Sequence, residues 1–194
     1  METPVSTFIK LKEHGARFLL ESVETGRSIG RFSFIGLDTL KNIRLEGENL
    51  LVEENGATKT ISAKGKNPLD LIREMMSPLT LPAKDKTLPG LLGGAVGYIG
   101  YDFIRWLEKL PKTLEDPIDL PTVNLFLTGS LVIFDHVKRK MLLVTVTQED
   151  PEERLNQIQE WIRSPLPKEW TQSRPAKNRA NFTSNYTEEE FREN

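Results

Sequence analysis

The stretch from Leu120 to Phe134, LPTVNLFLTGSLVIF, constrains the fold more than any other. Leu, Val and Phe occupy both parities along it. Side chains of a strand alternate between two faces, so a strand apolar on both must be covered on both. Gly129 interrupts the run and reads as a bulge. After a polar turn at 135–140, Met141 to Val146, MLLVTV, supplies a partner strand.

Other strand signals lie upstream. Phe18-Leu19-Leu20 and Phe32-Ser33-Phe34-Ile35 are apolar-rich runs separated by a polar segment with Gly26 and Gly30. Three short runs follow, at 42–45, 50–52 and 58–61, with turn residues at Gly47-Glu48-Asn49 and Asn55-Gly56. Asn-Gly tolerates the positive φ of a type I′ turn, so these runs predict an antiparallel meander. Pro89 to Pro111 carries glycines at 90, 93, 94, 97 and 100. It lacks the Gly-Lys-Ser/Thr end of a phosphate loop and does not match G-x-G-x-x-G. Leu91 to Ile99 therefore reads as a buried, Gly-rich strand against which another element packs closely. Tyr101 to Leu107 then turns helical.

Helix signals frame these strands. Pro4 opens a short helix that Gly15 ends. Asn67-Pro68 supplies an N-cap and an N1 proline, and Leu71, Ile72, Met75 and Met76 form one apolar stripe. Asp150-Pro151-Glu152-Glu153 starts another helix, whose apolar face is Leu155, Ile158, Trp161 and Ile162. The expected class is α+β: a mostly antiparallel sheet with three or four helices packed outside.

The chemistry-bearing residues are sparse. With no cysteine, a disulfide scaffold, a thiolate metal site and a Cys nucleophile are excluded. The two histidines, His14 and His136, sit in a polar turn and at a strand end. Asp135-His136 is a suggestive neighbour pair, but consecutive strand residues point to opposite faces. No metal-ligand spacing occurs. A net charge of −2 gives no nucleic-acid footprint, and Lys138-Arg139-Lys140 reads as a solvated loop. No signal peptide or membrane-length apolar run is present. These features fit a cytoplasmic protein.

One oddity is Glu21-Ser22, directly after the first apolar run. A carboxylate and a hydroxyl at the end of a buried strand need partners, since an unpaired polar group there costs roughly 1–3 kcal/mol. Two readings stand: a strand ending in a turn, or a polar lip on a small-molecule pocket. Residues 164–185 have linker composition. Thr187 and Glu190 are then spaced as a capping box for a helix that the sequence carries for less than two turns. This suggests a chain that stops where another domain begins.

LLES at 19–22, GRFSFIG at 30–36 followed by Asp38, GGAVGYIGYD at 93–102, EKLP at 108–111, IFDH at 133–136 and SNYTEEEF at 184–191 occur in that order. Together they resemble the N-terminal region of the anthranilate synthase component I family. The large subunit of aminodeoxychorismate synthase is a cousin with a similar plan. The resemblance implies domain bounds of 1–163 for the N-terminal domain, 164–185 for a linker and 186–194 for the start of a catalytic chorismate-binding domain. It implies a sandwich-like sheet arrangement shared with that missing C-terminal half. It implies an enzyme that converts chorismate and ammonia to anthranilate and pyruvate with Mg²⁺, the ammonia coming from a glutamine amidotransferase partner. Catalytic and Mg²⁺-binding residues would lie in the missing half, leaving this part inactive alone. What remains here is a feedback site for L-tryptophan, lined by Ser22, with Glu21, Arg31, Phe32 and Ser33 as candidate neighbours. A carboxylate and a hydroxyl can pair with the effector's ammonium, and apolar strand residues can cover its indole. The alternatives are the aminodeoxychorismate branch, a free-standing amino-acid-binding module and a purely structural domain. An exposed apolar patch is expected where the missing half docks.

Overall fold

The computed structural model describes residues 2–21, 30–77, 88–111, 118–146, 150–171, 184 and 187–193. Ser22, the Pro-containing loop of 78–86, most of the linker (172–183) and Asn185 and Tyr186 lie outside the described residues. The helices are α1 (Pro4–Lys12), α2 (Pro68–Met76), α3 (Pro151–Arg163), α4 (Lys168–Thr171) and α5 (Glu188–Glu193). The strands are β1 (Phe18–Leu20), β2 (Phe32–Glu46), β3 (Asn49–Glu54), β4 (Ala57–Ser62), β5 (Gly94–Ile99), β6 (Val123–Asp135) and β7 (Lys140–Thr145). The class is α+β, and every strand pairing is antiparallel.

The helix starts are made by the residues expected to make them. Asn67 accepts the Leu69 N–H at 3.0 Å, and Asp150 accepts that of Glu152 at 2.9 Å. Thr187 and Glu190 close a reciprocal capping box. Asn55 and Gly56 hold φ of 52° and 76°, the geometry of a type I′ hairpin between β3 and β4.

The strands join in one seven-stranded sheet whose spine is the pair β2–β6. The N-terminal half of β2 pairs with β1 and its C-terminal half with β3. β6 likewise pairs with β5 in its first half and with β7 in its second. Two expected runs, 32–35 and 42–45, thus belong to one 15-residue strand. The polar residues between them mark an irregularity rather than an end. β2 carries one extra residue between Thr39 and Lys41, and Asp38 adopts φ 56°. The bulge expected at Gly129 is therefore on the facing strand. Gly129 makes room for it, since a Cβ there would lie 2.9 Å from Leu40 Cδ2.

Two cores form, and they lie on opposite faces of the spine. Val132 and Phe134 of β6 join Leu11, Ile35, Leu37, Ile158 and Ile162 in the core under α1 and α3. Val123, of the other parity, joins Ile43, Leu45, Leu50, Val52, Ile72 and Phe103 under α2 and a 3₁₀ helix, Tyr101–Trp106. This switch is why β6 had to be apolar on both parities. Opposite the bulge the chain is pinned by charge. Arg154 of α3 donates to both oxygens of Asp38, Nε at 3.0 Å, and lies over the Trp161 ring. Ser130 also donates to Asp38, at 2.5 Å.

The reading of Leu91 to Ile99 as a buried strand is corrected. β5 starts at Gly94, and its residues are half-buried or exposed, because it forms the end of the sheet. Close backbone approach does occur there, at Gly97. Tyr101–Trp106 is a 3₁₀ helix, with Phe103 its buried residue. Lys10, on a helix face with no polar requirement visible in sequence, is buried. Its ammonium donates to the Ile162 carbonyl at 2.8 Å and to Glu2 at 2.7 Å, tying α1 to the end of α3.

Candidate effector site

β1 and the start of β2 bring the candidate residues to one end of the sheet. Phe18 pairs with Gly36 and Leu20 with Phe34. Their parity places Phe18, Leu20, Phe32, Phe34 and Gly36 on one face. The Phe18 ring lies so close over Gly36 that a Cβ there would meet it at 2.1 Å. Leu20 is exposed, and Phe32 and Phe34 are half-buried, with ring centroids 6.0 Å apart at 46°. Glu21 follows this face directly and is exposed.

The other candidates divide. Ser33 is paired with Phe134 and so faces the α1/α3 core. It is 2% exposed, and its hydroxyl is bonded to His136 Nε2 at 2.8 Å. Arg31 stands just before β2. Its Nε and Nη2 donate to the two carboxylate oxygens of Asp135 at 3.2 and 2.7 Å, and its guanidinium lies over the Phe32 ring at 4.7 Å. The structure thus brings Arg31 and Phe32 together on the Phe34 side and turns Ser33 away.

What sequence reasoning missed at Asp135 is its partner, Arg31. The neighbour of Asp135, His136, attracted attention as a pair with it, yet the two serve different partners, Arg31 and Ser33. Asp135 also accepts the N–H groups of Val137 and Lys138, at 3.1 and 3.0 Å. The Arg31 guanidinium first, then these backbone donors, outweigh burial and lower its pKa to about 2. The unfolded chain therefore takes up this proton first, near 3.8. The associated stability is complete above that value and is lost as pH falls through about 2. With Arg31 partly exposed, about 1 kcal/mol is expected. Acid titration of the Asp135→Asn variant should lack that part of the stability loss, checked by urea unfolding between pH 5 and 2.

Away from these residues a concavity of about 650 Å³ opens between α2 and β5, lined by Leu69, Ile72, Met76, Leu92, Gly94 and Val146. The charged group in its lining, Arg73, is taken by Asp70 at 2.6 Å. Among the described residues no group of three or more His, Asp or Glu could hold a metal ion. Mg²⁺ has no fitting carboxylate set among them. No described helix is long and apolar enough to cross a membrane.

A family model described as chorismate binding enzyme matches residues 16–194. Anthranilate synthase component 1 of Thermus thermophilus is 35% identical over 198 residues, which cover 100% of this chain and 40% of that protein. The protein of the same name from Acetivibrio thermocellus is 36% identical over 145 residues, 74% of this chain and 28% of its own length. The solved structure of anthranilate synthase component I from Streptococcus pneumoniae superposes with a TM-score of 0.55 at 30% identity, covering 79% of this chain and 33% of that one. The chain thus spans well under half the length of these relatives. On this match, which takes in almost all of its residues, the chain belongs to the chorismate-binding enzyme family, and within that family it is similar to anthranilate synthase component I.

Proposed function

We propose that this chain is the regulatory and structural N-terminal part of an anthranilate synthase component I, a lyase of the cytoplasm. The whole enzyme would convert chorismate to anthranilate and pyruvate, using ammonia released from glutamine by an amidotransferase subunit. Its Mg²⁺ ligands and its acid/base residues would lie in a C-terminal catalytic domain outside this chain. The observation that carries this reading is the match of 100% of this chain to only 40% of the length of an anthranilate synthase component 1. Exposed apolar side chains support it. Tyr98, Ile99, Tyr101, Leu107, Leu110, Ile118 and Leu120, all large and exposed, follow one another along the end of β5 and the chain after it. Apolar side chains left open in this way suit a further domain.

L-Tryptophan is the proposed feedback effector. Glu21 and Ser22 would pair with its ammonium, and the Phe18–Leu20–Phe32–Phe34 face would cover its indole. Inhibition requires that tryptophan bind one arrangement of the two domains better than another, since a ligand shifts an equilibrium only by that difference. Replacing Ser22 by Ala in the protein from the intact gene is expected to remove a charge-assisted hydrogen bond of about 1.5–3 kcal/mol, raising the inhibitory tryptophan concentration roughly 10–100-fold. Steady-state inhibition assays measure it, and unchanged inhibition refutes the site. Calorimetry on this chain alone is expected to show no tight tryptophan binding. Tight binding would favour a free-standing amino-acid-binding module.

A further inference from the structure

Asp135 has four donors on its carboxylate, two from Arg31 and one each from the Val137 and Lys138 backbone. It is 4% exposed, whereas the guanidinium it holds is partly open to solvent. That guanidinium is the lid on the Phe32 ring, and the Phe32 ring in turn leans on Phe34. The His136 N–H donates to the Arg31 carbonyl at 2.9 Å, so the same turn holds the Arg31 backbone as well. Side chain and main chain at the start of β2 are thus both fastened by the Asp135-His136 end of β6. An arginine released from a carboxylate regains rotamer freedom, and the ring beneath it loses its cover.

We propose that Asp135 is a positioning residue for the effector site: by fixing Arg31 it fixes the Phe32 ring as part of the wall against which an indole packs. The proposal rests on the tryptophan reading above. It also gives Arg31 a definite role. Its charge is spent on Asp135, and drawing it off to an effector carboxylate would leave a buried carboxylate with backbone donors alone. Arg31 therefore acts on the site through Phe32 and not as a direct ligand.

The test measures tryptophan inhibition, chorismate KM and thermal stability for the wild-type protein from the intact gene and for Asp135→Asn, Arg31→Met and the double variant. Asn keeps the shape and the acceptor for the Val137 and Lys138 N–H groups while losing the charge. Both single variants are expected to raise the tryptophan Ki about tenfold, within the range of a cation–π contact. The double variant should be no worse than either, because both break one path. For Asp135→Asn the chorismate KM should stay within about twofold, whereas a merely structural role would lower the melting temperature and leave Ki where it was. If Arg31→Met raises Ki and Asp135→Asn does not, Arg31 touches the effector and the proposal is overturned. It is equally overturned if neither variant moves Ki. Should Asp135→Asn fail to fold, Arg31→Met decides alone, an unchanged Ki refuting the proposal. A wild-type enzyme indifferent to tryptophan refutes the effector reading itself, and the proposal with it.

Discussion

Gly97→Ala is expected to detach β5 and destabilise the protein by about 3 kcal/mol or more, at the upper end for overpacking because the clash is with backbone. A Cβ at Gly97 would sit 2.0 Å from the Asn124 carbonyl oxygen and 3.0 Å from its carbon and from Leu125 Cα. No rotamer change relieves this. The two strands must part, and Gly97 lies mid-ladder, with Val96↔Phe126 and Tyr98↔Asn124 on either side. Its φ of 157° adds a conformation that L-residues rarely adopt. Gly100→Ala is the control. Gly100 has φ −67°, and a Cβ there would lie 3.2 Å from the Thr122 carbonyl oxygen, so a cost of about 1 kcal/mol or less is expected. Urea denaturation of both variants separates the cases, and equal midpoints would refute the close-approach argument.

The second large effect is expected at Asp38. Asp38→Ala leaves the Arg154 guanidinium, with 20% of the side chain exposed, beside a lost carboxylate and removes one of the two side-chain partners of the Ser130 hydroxyl, the other being Thr145. Fully buried pairs broken in this way cost about 3–5 kcal/mol, and partial exposure here lowers the expectation to about 2–3 kcal/mol. Ala also tolerates the φ of 56° at this position poorly. Asn tolerates it well, so Asp38→Asn isolates the charge and should cost about 1–2 kcal/mol. A double-mutant cycle with Arg154→Met should show coupling of about 1 kcal/mol. Additive losses would mean that the bulge, not the ion pair, carries the stability.

The elements that were legible in the sequence are those whose cause is local. Asn67-Pro68 and Asp150-Pro151 cap helices using donors two residues away. Asn55-Gly56 makes its turn by its own backbone freedom. The double parity of β6 was legible too, although its reason, two cores on opposite faces, was not. What escaped depends on partners far along the chain. The expected run at 32–35 stopped short of Asp38, whose partner Arg154 lies 116 residues on. The pairing of Asp135 with Arg31, 104 residues away, was hidden likewise, since only the β2–β6 register brings the two together. Phe32 and Ser33 looked equivalent as neighbours of Ser22, but alternation sends Ser33 into the opposite core.

The spine also sets a timetable for the chain's synthesis. β2 begins at residue 32 and β6 at residue 123, so roughly 90 residues must be added before the first has its main partner. At roughly 5–20 residues per second a ribosome needs about 5–18 s for this. Meanwhile β1 and the β3–β4 hairpin can dock, but Ile35, Leu37, Ile43 and Leu45, all at most 1% exposed in the finished protein, still lack their cover. During those seconds the nascent β2 is a long apolar ribbon with one edge open, and a chaperone that holds extended segments has its best opportunity there.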